Sequence, residues 1–282
     1  MIDRDERTRD RGVVELGQSI GAITLDFGTT LVAFPSASMG GVLAATAARA
    51  ATSWGFATDE FVRFWGEERL RQLAEEVPLG READMDVRAA RVLARLRGHP
   101  APPPEERWDD AEAAGWSGPD EVAAVLEDYA AAFVRLTPVP PEIGPLLELL
   151  ASRYTLAILS NWPIAEAVER YLEAAGWSAH LSAVVISQRV GAIKPRPEIF
   201  LAAARAVHLP SGPRFLHVGD DLGADVVGAQ ALGWRTAWVR FKPADSPLPT
   251  APPAPDAKPD LAIDSVLDLE AALDRPGGIS GQ

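Results

Sequence analysis

The chain has 282 residues, 47% of them hydrophobic, with 27 basic against 40 acidic residues and a formal net charge of -13. That length buries a sizeable core in one large domain or two smaller ones, while the acidic balance, without a basic patch, repels a nucleic-acid backbone. The absence of cysteine excludes a disulfide frame, a thiolate nucleophile and a cysteine-ligated metal, and no apolar run reaches the roughly 20 residues of a membrane span.

Residues 1–18 mix charges without periodicity and lack the apolar core of a signal peptide, so they are expected to be unstructured and the chain cytoplasmic. Residues 22–34, "AITLDFGTTLVAF", start as an apolar run of strand length and break into an aspartate and a turn. This is the pattern of a central parallel strand whose C-terminal tip carries function. From Ser36 to Thr137 the period becomes helical, as in "TDEFVRFWGEERLRQLAEEV" and "PDEVAAVLEDYAAAFVRL", with the proline-rich break "GHPAPPPEE" between them. Within it "RAARVLARLRG" could offer charge to a phosphate but reads first as a solvated helix face, and Trp54 and Trp65, which could line a pocket, read first as packing aromatics.

Strand patterns return at "YTLAILSN" (154–161), "AVVISQ" (183–188), "RFLHVGDD" (214–221), "RTAWVRF" (235–241) and, more weakly, "DLAIDS" (260–265). Helical stretches separate them, including "ADVVGAQALG", and Gly176 and Gly233 stand where helix C-caps belong. Alternating strand and helix predicts an α/β fold, a doubly wound parallel sheet. Its core takes residues 19–35 and 138–282, with an all-helical insertion at 36–137. The proline run at 243–259 is expected to be a surface loop before the last strand.

The strand tips concentrate polar residues: Asp26 with Thr29 and Thr30, Ser160 with Asn161 and Trp162, Lys194, and then Asp220, Asp221 and Asp225. Taken singly, an aspartate after a strand is usually a cap or turn residue. Together, Asp26 and the later carboxylates can share a hard cation such as Mg²⁺, which prefers oxygen ligands and keeps waters and a substrate phosphate. Lys194 can balance an anionic substrate. Ser160 and the amides from Phe27 to Thr30 can hold phosphoryl oxygens. Asp26 can also act as a nucleophile. The four histidines show no metal-ligand spacing, and His217 reads as a hydrogen-bonded core residue.

The ordered series "LDFGTTL", "LAILSNW", "GAIKPRPEIF" and "HVGDDLGADVVGAQALGW" resembles the four motifs of the haloacid dehalogenase superfamily, with a helical cap inserted after the first. The resemblance runs from residue 21 to about residue 272. It implies a Rossmann-like core, Asp26 as nucleophile, Ser160 as hydrogen-bond donor and Lys194 as the residue offsetting charge. It further implies a Mg²⁺ held by Asp26, Asp220 and the carbonyl of Gly28, with Asp225 a further ligand or a residue that orients Lys194 or a metal-bound water. Thr29, Thr30, Asn161 and Trp162 would face the substrate.

In phosphatases of this family a second aspartate, two residues after the nucleophile, protonates the leaving alkoxide; here that position is Gly28. General acid–base groups contribute about 10² to 10⁴ in rate, so alkyl phosphates should react poorly. The expected activity is Mg²⁺-dependent hydrolysis of a small phosphorylated metabolite. A non-catalytic binding or scaffold protein and a carbon–halogen hydrolase that needs neither acid nor metal are the alternatives. A Schiff-base mechanism through a cap lysine is discounted because residues 36–137 contain no lysine.

Overall fold

A computed structural model describes residues 16–252 and 254–274. Of the segment expected to be unstructured, residues 1–15 lie outside the described residues, whereas Leu16–Ser19 form a short helix, α1. The expected strands all form: β1 (Ala22–Leu25), β2 (Thr155–Ser160), β3 (Ala183–Ile186), β4 (Phe215–Gly219), β5 (Arg235–Val239) and β6 (Leu261–Ile263). They make one parallel sheet in the order β3-β2-β1-β4-β5-β6. Every residue of β1 and β4 is buried, which accounts for their unbroken apolar character. The chain leaves β1 toward β2 and β3, then crosses back to β4. A crevice therefore opens beyond the C-terminal ends of β1, β2 and β4, where parallel sheets bind ligands.

Between β1 and β2 lie α2 (Ser36–Trp54), α3 (Thr58–Glu76), α4 (Met85–Leu96), α5 (Asp110–Ala114) and α6 (Pro119–Leu136). Local signals set their ends. Gly55 closes α2 in the left-handed conformation at φ 75°, Asp84 accepts from the Asp86 amide at the start of α4, and α6 opens with Pro119 while Glu121 reaches back to the Gly118 amide at 2.8 Å. The arginine-rich face of α4 is not solvated. Arg88 and Arg91 are buried because α4 packs against α3, α5 and α6, and Arg91 is neutralised by Glu75 at 2.8 Å and Asp110 at 2.9 Å. Trp65 packs as expected, stacked on Phe61 and Tyr129.

Of the remaining helices, α7 (Ile143–Ala151) leads into β2, α8 (Ala165–Ala174) follows β2, α9 (Ser187–Val190) and α10 (Pro197–Ala206) follow β3, α11 (Gly228–Gln230) follows β4 and α12 (Leu269–Leu273) follows β6. Gly176 and Gly233 have positive φ, as the cap reading requires. The stretch "ADVVGAQALG" departs from a plain α-helix: Leu222–Val227 form a π-helical turn that leads into α11. Asp221 caps this turn, accepting from the amides of Gly223 and Ala224.

Core and insertion share an aromatic cluster. Phe27, the residue after Asp26, lies 5.6 Å from Phe34, 5.6 Å from Trp162 and 5.5 Å from Tyr171 between ring centroids. Phe133 of α6 stacks on Phe34 at 5.7 Å. A Phe133→Ala variant is expected to lose about 3–5 kcal/mol of stability through the cavity it leaves, as read by denaturant unfolding; a loss below about 1 kcal/mol would mean that α6 is not packed into the core this way.

Candidate active site

Asp26 follows β1, and its amide donates to the Val218 carbonyl at 2.9 Å, which pins the nucleophile position to β4. Its Oδ1 accepts from Ser160 Oγ at 2.9 Å and from Lys194 Nζ at 2.6 Å. Its Oδ2 has only a long contact with Thr30 Oγ1, at 3.4 Å. Burial raises the Asp26 carboxyl, Lys194 opposes that rise, and Asp225 and Asp220 add to it, leaving it at about 7.

Lys194 is buried, and its ammonium also meets Asp225 Oδ1 at 2.6 Å and donates to the Leu159 carbonyl at 3.0 Å. Burial disfavours its charge, but Asp225 and Asp26 outweigh that and hold it above its ordinary value. Asn161 clamps the same residue: its Oδ1 accepts from the Lys194 amide at 2.7 Å and its Nδ2 donates to the Lys194 carbonyl at 3.2 Å. The geometry thus places Asn161 as a positioning residue.

Both oxygens of Asp225 are engaged within the protein. Oδ1 takes Lys194 and His217 Nε2 (3.0 Å), and Oδ2 accepts from the Asp221 amide at 2.9 Å. Burial opposes its ionisation, yet Lys194 and His217 hold it well below the usual carboxylate range. Its contact with Lys194 is the one expected of a residue that orients that lysine. His217 is the core residue expected, its Nδ1 lying 2.8 Å from Thr24 Oγ1 on the neighbouring strand. Gly219 makes room for this arrangement, since a Cβ there would lie 2.2 Å from the Asp225 carboxylate.

Asp220 differs. Its Oδ2 is buried without a hydrogen bond, and the nearest cation is Lys242 Nζ at 3.2 Å. Asp221 is engaged as a cap and, through Oδ2, by the Ala251 amide at 2.7 Å. No cluster of three or more His, Cys, Asp or Glu forms a metal cage among the described residues. The donors available to a cation are the Asp26 carboxylate, Asp220 and the Gly28 carbonyl, which accepts one bond from Thr29 Oγ1 at 2.6 Å. Such hard oxygens suit Mg²⁺, which commonly takes one or two protein carboxylates and completes its sphere with water and substrate. The buried Asp220 oxygen, which lacks a hydrogen bond and has the Lys242 ammonium beside it, fits a cation at that point.

The turn after Asp26 is tight. Thr29 sits at φ 62°, a costly region for a β-branched residue, and its amide donates to Val32, so that amide is withdrawn from any phosphate cradle. A Cβ at Gly28 would lie 2.8 Å from Leu248 Cδ1 and 3.1 Å from Trp162 Cζ3. Apolar atoms therefore fill the space of the second acid. Trp162 belongs mainly to the aromatic cluster and borders the site by a ring edge.

Leu248 comes from the proline run, which is more than a surface loop before β6. Asp245 O accepts from Ser36, Pro247 O accepts from Arg69, and the Ala251 amide reaches Asp221. The run is a strap tying the helical insertion to the strand tips. Strap, tips and the inner faces of α2, α3, α4 and α6 enclose a cavity of about 670 Å³ lined by Asp26, Asp220, Lys194, Lys242, Arg69 and Arg88 among others. Lys242, Leu248, Arg69, Arg88 and Tyr129 carry no local sequence signal for this site; Lys242 stands out only as one of three lysines.

Residues 20–233 match the family described as haloacid dehalogenase-like hydrolase. The chain belongs to the haloacid dehalogenase-like hydrolases. Within this family it is 30% identical over 229 residues to a phosphoserine phosphatase of Thermus thermophilus, covering 68% of this chain and 88% of that one. It is 29% identical over 147 residues to a glyceraldehyde 3-phosphate phosphatase of Methanopyrus kandleri, covering 52% of this chain and 61% of that relative, less than two thirds of its length. In fold it resembles a 2-haloacid dehalogenase from Pseudomonas syringae, with a TM-score of 0.64, 24% identity, and coverage of 90% of this chain and 98% of that one.

For this hydrolase, Gly28→Asp is expected to lose about 1–3 kcal/mol by overpacking against Leu248 and Trp162. Adding Leu248→Ala should recover part of that loss. Thermal unfolding of the two single variants and the double variant checks this, and strictly additive losses would rule out the contact.

Proposed function

We propose that this hydrolase is a phosphatase for a small phosphorylated metabolite, working through an aspartyl-phosphate on Asp26. The observation that supports this best is the unequal use of the Asp26 oxygens: Oδ1 is fixed by Ser160 and Lys194, and Oδ2 has one long contact at 3.4 Å. Oδ2 attacks phosphorus, and the leaving oxygen departs with the electrons of its bond. Water then attacks the phosphoaspartate, returning Asp26 and releasing phosphate. Lys194 offsets the charge of Asp26 and of the bound phosphoryl group, Asp225 and Asn161 hold it in place, and Thr30 and Ser160 lie within reach of phosphoryl oxygens.

Asp26, Asp220 and the Gly28 carbonyl would hold Mg²⁺, which neutralises charge on the transferring group. Lys242 competes for the same oxygens, its ammonium lying 3.2 Å from Asp220 Oδ2. Lys242→Met is therefore expected to bind Mg²⁺ more tightly in calorimetry; unchanged or weaker affinity would place the cation elsewhere.

With Leu248 over Gly28, no side chain there donates a proton to the leaving group. Aryl and acyl phosphates should be hydrolysed in the presence of Mg²⁺, alkyl phosphates about 10² to 10⁴ more slowly, and Asp26→Asn should abolish all three activities. A carbon–halogen hydrolase is the second reading, favoured by the same apolar filling, because a halide leaves without a proton. Release of halide from a 2-haloacid, indifferent to chelator, with no phosphate released from any ester, would replace the first reading with the second.

A further inference from the structure

The arginines of the helical insertion fall into two sets. Arg91, Arg95, Arg71 and Arg97 each have a carboxylate within 4.0 Å, as do the more exposed Arg49, Arg63, Arg81 and Arg107. Among the described residues, Arg69, Arg88 and the exposed Arg135 have none, and of these Arg69 and Arg88 line the cavity that holds Asp26. Arg88 is only 2% exposed. Its Nε donates to Gln72 Oε1 at 2.9 Å and its Nη2 to the Ala83 carbonyl at 3.2 Å, both neutral acceptors, while its guanidinium lies 5.7 Å from the Trp65 ring centroid. Burial lowers it to about 10, so it stays charged at neutral pH. Glu82, also on the cavity wall, and Asp84 favour its charge from beyond ion-pair distance, and Glu82 is itself turned to Ser187 and the Ala83 amide.

A buried charge without a counter-ion is costly and is rare unless something else completes it. Tyr129, stacked on Trp65, lines the same wall, and the charges of Arg88 and Arg69 act on its phenol. Arg69 is anchored on the strap at the Pro247 carbonyl, next to Leu248. Two guanidinium groups and a phenol on one wall, facing Asp26 across apolar side chains such as Met39, Leu43 and Met85, make a receptor for an oxyanion at the far end of a bound molecule.

We propose that Arg88, with Arg69 and Tyr129, receives a second oxyanion on the leaving half of the substrate, so that the favoured substrates are phosphorylated compounds bearing their own carboxylate or phosphate. This rests on the phosphatase reading, and binding to the inert Asp26→Asn protein in Mg²⁺ separates the two. The ligands are propylphosphonate, phosphonopropionate with its shorter and longer homologues, and propane bisphosphonate. The best anion-tailed ligand is expected to bind about 10- to 100-fold more tightly than propylphosphonate, the scale of a charge-assisted hydrogen bond. A preference for the carboxylate over the bisphosphonate names the tail. Asp26→Asn/Arg88→Gln should lose that preference and Asp26→Asn/Arg88→Lys should keep part of it, with circular dichroism reporting the fold of each. In the active protein, Arg88→Gln should raise KM for the anion-tailed phosphate far more than it lowers kcat. Equal binding of neutral and anion-tailed phosphonates overturns the receptor alone, whereas no binding of any phosphonate overturns the phosphatase reading with it.

Discussion

One ammonium group organises the strand tips. Lys194 Nζ lies 2.6 Å from both Asp26 and Asp225, buried among groups from β1, β2 and the π-helical turn after β4. Three carboxylates of the site, Asp26, Asp220 and Asp225, would repel one another without it, and a buried lysine would not stay charged without them. Breaking such a cluster at one member is strongly destabilising because the others are left buried and uncompensated. The hydrogen-bonded line from Thr24 through His217 to Asp225 fixes the far end of the cluster. Asn161 fixes the near end by gripping the Lys194 backbone. What remains free to react is a single oxygen of Asp26.

Around that oxygen, chemistry is limited by space as much as by charge. Gly28 lacks a side chain, and the strap fills the vacancy with a methyl group of Leu248. The same strap brings Lys242 to Asp220 and holds Arg69 at the cavity edge. One irregular, proline-rich segment thus touches Lys242 beside Asp220, the space over Gly28 and the helical insertion. Proline suits this work because it limits the conformations of a segment that has no ladder or helix to order it.

Much of this was readable in advance, and for local reasons. A strand buried on both faces announces itself as an unbroken apolar run, and a residue just beyond its end must lie at the sheet's C-terminal edge. Asp26, Ser160 and Asp220 follow from that rule. Asp225 does too, although its duty became clear only when all its oxygens were seen to be engaged. Arg88 and Arg91 show where such reading stops. They sit three residues apart on α4, both buried, yet Arg91 meets Glu75 and Asp110 while Arg88 faces the cavity with neutral acceptors. Helical periodicity suggests a solvated face for both and says nothing about which neighbours α3, α5 and α6 bring to each.

By itself the sequence determined the doubly wound parallel sheet, the inserted helices, the order of the polar strand tips and the missing acid at Gly28, because each depends on residues close together along the chain. Tertiary structure alone decided that Leu248 occupies the space over Gly28, that Lys242 stands beside Asp220 and that Arg69, Arg88 and Tyr129 share a wall. Those juxtapositions join residues far apart in sequence, and they come from how the insertion and the strap pack against the sheet, which no local pattern encodes.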